Sequence, residues 1–267
     1  MRLALAQLEI EAGKVTNNVE RGLDAVERAA SAGSDLVALP ELFDVGYFAF
    51  DSYGRAADSL GGDRLERFRR AAVEHDIAVL AGTIVEDLAA TAAEGEAVPE
   101  SSGLANTAVL FDADGNRRLV YRKHHLFGYG SEGRERFVPG ESLPVADIGG
   151  HTVGVTTCYD LRFPELYREL LESGVTLVVV PSAWPYPRVE HWKLLPRARS
   201  IENLCYVGAV NGSATFEDGL VGRSAVYDPW GTTLAATGEE PSMVYADVDP
   251  ERVSSVRSEF PALSDRR

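Results

Sequence analysis

The chain has 267 residues, 45% hydrophobic and 25% charged, a globular balance with room for a large core. Its formal net charge of -15 makes nucleic acid and anionic membranes poor partners for the surface as a whole. No run of about 18 apolar residues marks a transmembrane helix, and two cysteines, Cys158 and Cys205, make no disulfide framework.

In chain order, "RLALAQLEI" reads as a first strand. Acids follow it quickly and no small-residue cleavage site appears, so it does not read as a signal peptide, and a cytoplasmic location is expected. "NNVERGLDAVERAASAG" has helical periodicity through Val19, Leu23, Val26 and Ala30, with Asn17 or Asn18 as cap and Gly33 as stop. "DLVALP" is a buried-type strand, "DRLERFRRAAVEHD" a helix and "IAVLAGTIV" a strand. "EDLAATAAEGEAVPESSG" reads as an exposed loop. "LANTAVLFDADGNRRLVYRKHHLF" reads as a hairpin about an Asp-Ala-Asp-Gly-Asn turn.

In "HTVGVTTCYDLRFPELYRELLESG" a β-type run stops at Cys158 and a helix begins by Pro164, which suits a first helical turn. Then come the strand "VTLVVVPSAW", the helical "VEHWKLLPRARSIEN" with Pro196 inside it, the strand "LCYVGAVNG", and further strands about a Pro-Trp-Gly turn. "AVERAASAGSDLVALPELF" and "LYRELLESGVTLVVVPSAW" share one plan: helix, Gly, buried strand, Pro, loop. Two such halves without a linker predict one layered α/β domain over 1–267, its core over about 1–247 and a C-terminal segment over 248–267. In such folds chemistry sits in the loops after strand ends.

Three residues end strands in this way. Cys158 stands at a strand–turn–helix elbow, where backbone N–H groups and a helix dipole would lower a thiol pKa and cradle an oxyanion. A buried structural thiol is the alternative there, and it is the reading that suits Cys205. Glu41 follows "LVALP" in the aromatic loop "ELFDVGYFAF", where partial desolvation would suit a general base, or a surface role would leave it inert. Lys123 ends "RLVYRK". It is one of only three lysines, with Lys14 and Lys193, against 23 arginines. Its compact charge can do what an arginine cannot, or it is an exposed strand-end cation. A Cys–His pair with His124, His125 or His191 has no feature in its favour. The two cysteines and five histidines lack paired metal-ligand spacing, so no metal is expected.

Together "LVALPELF" at Glu41, "YRKHHLF" at Lys123 and "CYDLRFPELYR" at Cys158 resemble the nitrilase superfamily, the carbon–nitrogen hydrolases. "PSAWP", "HWKLLPRARSIENLCYVGAVN" and "GRSAVYDPWG" extend the resemblance over nearly the whole chain. It implies an α-β-β-α sandwich and a hydrolase acting through a Cys158 thioester, with Glu41 as proton carrier and Lys123 and the Tyr159 N–H as oxyanion donors, without a cofactor. It also implies a further carboxylate in "KHHLFGYGSEGRERFVPG", Glu132 in preference to Glu135. Subunits are expected as a homodimer or larger homo-oligomer, with the C-terminal segment reaching across a partner.

Within the superfamily, "CYDLRFPEL" and "SAWPYPRVEHWKLLPRARSIEN" look like the Nit and ω-amidase branches, which points to short ω-amides of dicarboxylic acids such as 2-oxoglutaramate. The substrates would then be a small amide and water. Arg188 could hold a substrate carboxylate in a bidentate pair, with Trp184, Tyr47, Phe48 and Tyr129 as pocket walls. A nitrilase or N-carbamoyl amidase would keep the three residues and change the pocket loops. A binding protein on this fold would have no use for all three. The acidic, lysine-poor composition fits adaptation to molar salt or, equally, a codon bias toward Arg, Ala and Gly.

Overall fold

The computed structural model describes residues 1–128, 133–214 and 219–266. The first half runs β1 (Arg2–Gln7), α1 (Val15–Ser31), β2 (Leu36–Ala38), α2 (Tyr53–Ala56), α3 (Asp63–Glu74), β3 (Ala78–Leu80), β4 (Ile84–Asp87), α4 (Leu88–Ala93), β5 (Leu104–Phe111) and β6 (Arg117–Arg122). The second runs α5 (Gly133–Arg136), β7 (Val145–Ile148), β8 (His151–Val155), α6 (Pro164–Glu172), β9 (Leu177–Ser182), α7 (Val189–Asn203), β10 (Tyr206–Asn211), β11 (Ser213–Ala214), β12 (Leu220–Val221), β13 (Ala225–Tyr227), β14 (Thr233–Ala236), β15 (Ser242–Asp247) and α8 (Pro250–Glu259).

One sheet has the order β15-β1-β2-β3-β5-β4, with β6 also pairing β5; the other has the order β14-β13-β10-β9-β8-β7. Strand alternation builds the layers, because successive side chains leave opposite faces. On β1, Leu3 and Leu5 enter a core shared by both sheets, while Ala4 and Ala6 face the cluster that holds Val19 and Val26 of α1 and Leu65 and Phe68 of α3. On β9, Leu177 and Val179 join the shared core, while Val178 and Val180 pack with Leu166 and Leu170 of α6 and Trp192 of α7. The result is the α-β-β-α sandwich. At Gly208 on β10 a Cβ would stand 2.8 Å from Leu3 Cδ2 of the facing sheet, so a side chain there would push the layers apart.

The repeated helix–Gly–strand–Pro plan corresponds to α1–β2 in one sheet and α6–β9 in the other, each strand parallel to its chain-order neighbour, β1 or β8. The hairpin β5–β6 also forms. Several local expectations change. α1 starts after Lys14, and Asn18 lies inside it, buried and donating to the Glu11 and Asp44 carbonyls rather than capping. The "IAVLAGTIV" run splits into β3 and β4, because Gly82 (φ +30°) turns the chain against the Pro40 carbonyl. The expected exposed loop after it contains α4, capped by the Asp87 side chain on the N–H groups of Ala89 and Ala90. Pro196 lies within a continuous α7. β15 returns to pair antiparallel with β1, and α8 then buries Val253 and Val256 on its own chain, where Arg257 donates to the carbonyls of Val175 and Leu204.

Candidate active site

Three strand ends converge. Beyond β2, the Glu41 N–H reaches Ser182 O at the end of β9 at 3.4 Å, so the loop bridges the two sheets. Leu42, at φ 43°, donates its N–H to Thr83 Oγ1 at 2.7 Å, which pins the loop next to Gly82. β6 ends at Arg122 and Lys123 follows, its N–H bonded to the Asn106 carbonyl. Beyond β8 the chain enters a 3-10 turn, Cys158–Arg162, and Cys158 itself has φ +48°, a left-handed backbone that costs energy for a non-glycine residue.

Glu41 and Lys123 are both buried, with Lys123 Nζ donating to Glu41 Oε1 at 2.6 Å. Asn106 Nδ2 donates to the same oxygen at 2.8 Å, and the Ala183 N–H donates to Glu41 Oε2 at 3.0 Å. Both carboxylate oxygens are therefore held. Burial alone would lower the Lys123 pKa, but the adjacent Glu41 carboxylate reverses this and holds it above the ordinary lysine value. Burial pushes the Cys158 thiol well above the usual thiol range; Glu41 adds to the rise, and Lys123 and the Ala183 N–H oppose it. The elbow was expected to lower this pKa. Desolvation outweighs it. The elbow geometry itself is present.

Cys158 and Lys123 sit in a narrow pocket of about 340 Å³, its mouth included. Tyr47, Phe48 and Trp184 line it, as the sequence suggests; Tyr159 lines it too, and so does Arg188, whose guanidinium is 5.3 Å from the Phe127 ring centre. Tyr129 and Glu132 lie outside the described residues. Sequence reasoning missed Arg162, Asn106 and the Ala183 N–H. Arg162 lies within the quoted "CYDLRFPEL" motif, stacked 5.2 Å from Trp184 and 5.8 Å from Tyr159. Asn106 carried a signal: asparagine is depleted in strand interiors, yet it sits inside "LANTAVLF". The three candidate partner histidines bond to groups other than Cys158, His124 Nδ1 meeting the Arg122 carbonyl. His125 Nδ1 meets Asp160, and His191 Nδ1 meets Arg162 Nη2 at 3.0 Å. Cys205 is buried just before β10, and burial raises its pKa to about 12. Among the described residues no group of three or more His, Cys, Asp or Glu could hold a metal ion, and no helix is long and apolar enough to cross a membrane.

The sandwich thus brings a buried thiol, carboxylate and ammonium together from three strand ends. The carbon-nitrogen hydrolase family model matches residues 2–258, and the chain belongs to that family. It is 33% identical to the 2-oxoglutaramate amidase of Paenarthrobacter nicotinovorans over 272 residues, 99% of this chain and 89% of that protein. It is 32% identical to omega-amidase NIT2 of Homo sapiens over 277 residues, 100% of this chain and 95% of that one. Among solved structures, Saccharomyces cerevisiae Nit3, a member of branch 10 of the nitrilase superfamily, superposes with a TM-score of 0.87 at 29% identity, covering 100% of this chain and 96% of that one.

Proposed function

We propose that this carbon–nitrogen hydrolase is an ω-amidase, releasing ammonia from the terminal amide of a short dicarboxylic acid monoamide. The observation that carries the reading is one pocket lined by Cys158, Lys123, Arg162 and Arg188, with Glu41 hydrogen-bonded to its Lys123. The names of the two relatives point to the same substrate class.

As the Cys158 sulfur attacks the amide carbon, Glu41 takes the thiol proton as general base. Lys123 and the Tyr159 N–H stabilise the oxyanion. Glu41 then passes its proton to the departing ammonia, leaving a thioester. It next deprotonates a water, whose attack releases the free acid and restores the thiol. Glu132 serves as the additional carboxylate, and an arginine guanidinium forms a charge-assisted pair with the remote carboxylate of the substrate. The reading extends to a single-domain cytoplasmic enzyme working as a homodimer or larger homo-oligomer, supported by two unpaired buried cysteines and a resemblance that spans the chain.

The test is ammonia release from a panel of ω-amides, matched amides without the remote carboxylate, nitriles and N-carbamoyl amines. The carboxylate-bearing amides should lead in kcat/KM by about tenfold or more, the worth of a charged hydrogen bond. Equal rates with and without that carboxylate would overturn the substrate assignment.

A further inference from the structure

Asp160 is fully buried and takes no part in the steps above. A buried carboxylate is costly unless donors fill its lone pairs. Here four do. Oδ2 accepts from the Thr157 N–H at 2.9 Å and the Tyr121 hydroxyl at 2.6 Å. Oδ1 accepts from the His125 N–H at 2.9 Å and from His125 Nδ1 at 3.0 Å. The Nδ1 contact is assigned to the tautomer with Nδ1 as donor, the one that suits a carboxylate acceptor. The His125 ring is half-buried and stacks on Phe163 at 3.6 Å and 9°, just past the turn that begins at Cys158.

These donors bracket the reacting groups. Tyr121 and His125 lie two residues either side of Lys123, and Thr157 immediately precedes Cys158. One carboxylate therefore ties the lysine segment to the cysteine turn, and the turn has a reason to need it. The positive φ of Cys158 is strained and persists only where the surroundings over-determine it. We propose that Asp160 is a positioning residue that sets Cys158 relative to Lys123, with His125 as the outer half of the same device. The proposal rests on the reading of Cys158 as nucleophile.

The experiment compares Asp160→Asn, His125→Ala, His125→Asn and Cys158→Ala, each as full-length folded protein, with kcat expressed per titratable thiol and alkylation of Cys158 by iodoacetamide followed by mass spectrometry. Misplacing a reacting group by about 1 Å costs about a hundredfold. Asp160→Asn should therefore lose about that much in kcat, with KM within about threefold, and its Cys158 alkylation rate should change too. His125→Ala should lose about tenfold, and His125→Asn, which puts an amide N–H where Nδ1 stood, should recover most of that loss. Asp160→Asn or His125→Ala at wild-type kcat per thiol would overturn the proposal, as would His125→Asn being no better than His125→Ala. Should Asp160→Asn fail to fold, the two His125 variants decide alone. Activity surviving in Cys158→Ala would overturn the nucleophile reading instead, so the two failures are distinguishable.

Discussion

Lys123 Nζ stands 2.6 Å from Glu41 Oε1, and both side chains are out of contact with solvent. Such a pair is costly to bury and worse to break, since removing one partner strands the other at a cost of about 3–5 kcal/mol. Its geometry also separates lysine from arginine. A guanidinium is longer and planar, and it would meet Asn106 and Tyr47, whose ring centre is 5.5 Å from Nζ. Lys123→Arg should therefore keep the charge and lose on the order of a hundredfold or more in kcat, the scale of removing an oxyanion donor. Steady-state ammonia release measures it. A variant within a few-fold of wild type would reduce Lys123 to a structural counter-charge.

The two cysteines should behave oppositely. Both are buried, but Cys158 adjoins Glu41 and Lys123 at the pocket, whereas Cys205 sits at the start of β10 among Tyr167, Val207 and other apolar side chains. Cys158→Ala should abolish turnover and leave the circular dichroism spectrum unchanged. Cys205→Ala should retain most activity and lose some stability. Turnover in Cys158→Ala equal to wild type would remove it from the mechanism.

The three converging residues were legible because each lies within three residues of the end of a recognisable strand. β2, β6 and β8 carry strong β patterns, and the polar residue just past each stands out. What was illegible depends on contacts distant in sequence. The Ala183 N–H that holds Glu41 has no side-chain signature, and it acts 142 residues away. Asn106 required knowing that β5 lies beside the Glu41 loop. The direction of the Cys158 pKa was misjudged because a turn motif reports local dipoles and says nothing of how thoroughly both sheets exclude water from the thiol. α4 was missed because its Ala-rich run has no apolar stripe; the Asp87 cap was its signal.

The arginines on the pocket give a specificity prediction. Arg162 and Arg188 are half-buried, lie against aromatic rings and line the same pocket as Cys158. Replacing the one that holds the remote carboxylate with alanine should raise KM for ω-amides of dicarboxylic acids by about tenfold to a hundredfold, with a smaller effect on neutral amides. The backbone contact from Trp184 Nε1 to the Arg188 carbonyl does not involve the side chain and survives the change. Parallel kinetics on charged and neutral amides check it. If both classes of amide respond equally to each substitution, neither arginine recognises the carboxylate.

Alkaline pH should weaken the fold through the thiols. Burial raises the pKa of Cys158, and it raises that of Cys205 to about 12, against about 8.5 for an unfolded cysteine. A folded-state pKa above the unfolded value contributes stability that is complete below the unfolded pKa. That stability is lost as pH rises toward the folded one. The decline approaches about 1.4 kcal/mol per pH unit for each thiol. The buried tyrosines Tyr53, Tyr121 and Tyr167 are raised as well and add to the loss above about pH 10. The diagnostic window is therefore about pH 8.5 to 10. Urea denaturation under reducing conditions should show a shallower decline there for Cys205→Ala than for wild type. Parallel declines would mean that the Cys205 thiol does not titrate on unfolding.

Salt should act on the whole surface. With a formal charge of -15 and three lysines in 267 residues, like-charge repulsion opposes both folding and the approach of a second copy of the chain. At 1 M salt the Debye length is about 3 Å, against about 10 Å at 0.1 M, so repulsion between exposed carboxylates is largely removed. If the composition reflects adaptation to brine, the melting midpoint, the activity and the fraction of oligomer should all rise between 0.1 M and about 2 M KCl. Excluded solutes also stabilise ordinary proteins, so KCl must be compared with sucrose at matched osmolality. A gain with KCl that sucrose does not reproduce, in stability and activity together, would identify the acidic surface as a salt adaptation. A midpoint that is flat or falling across that range would assign the scarcity of lysine to codon usage.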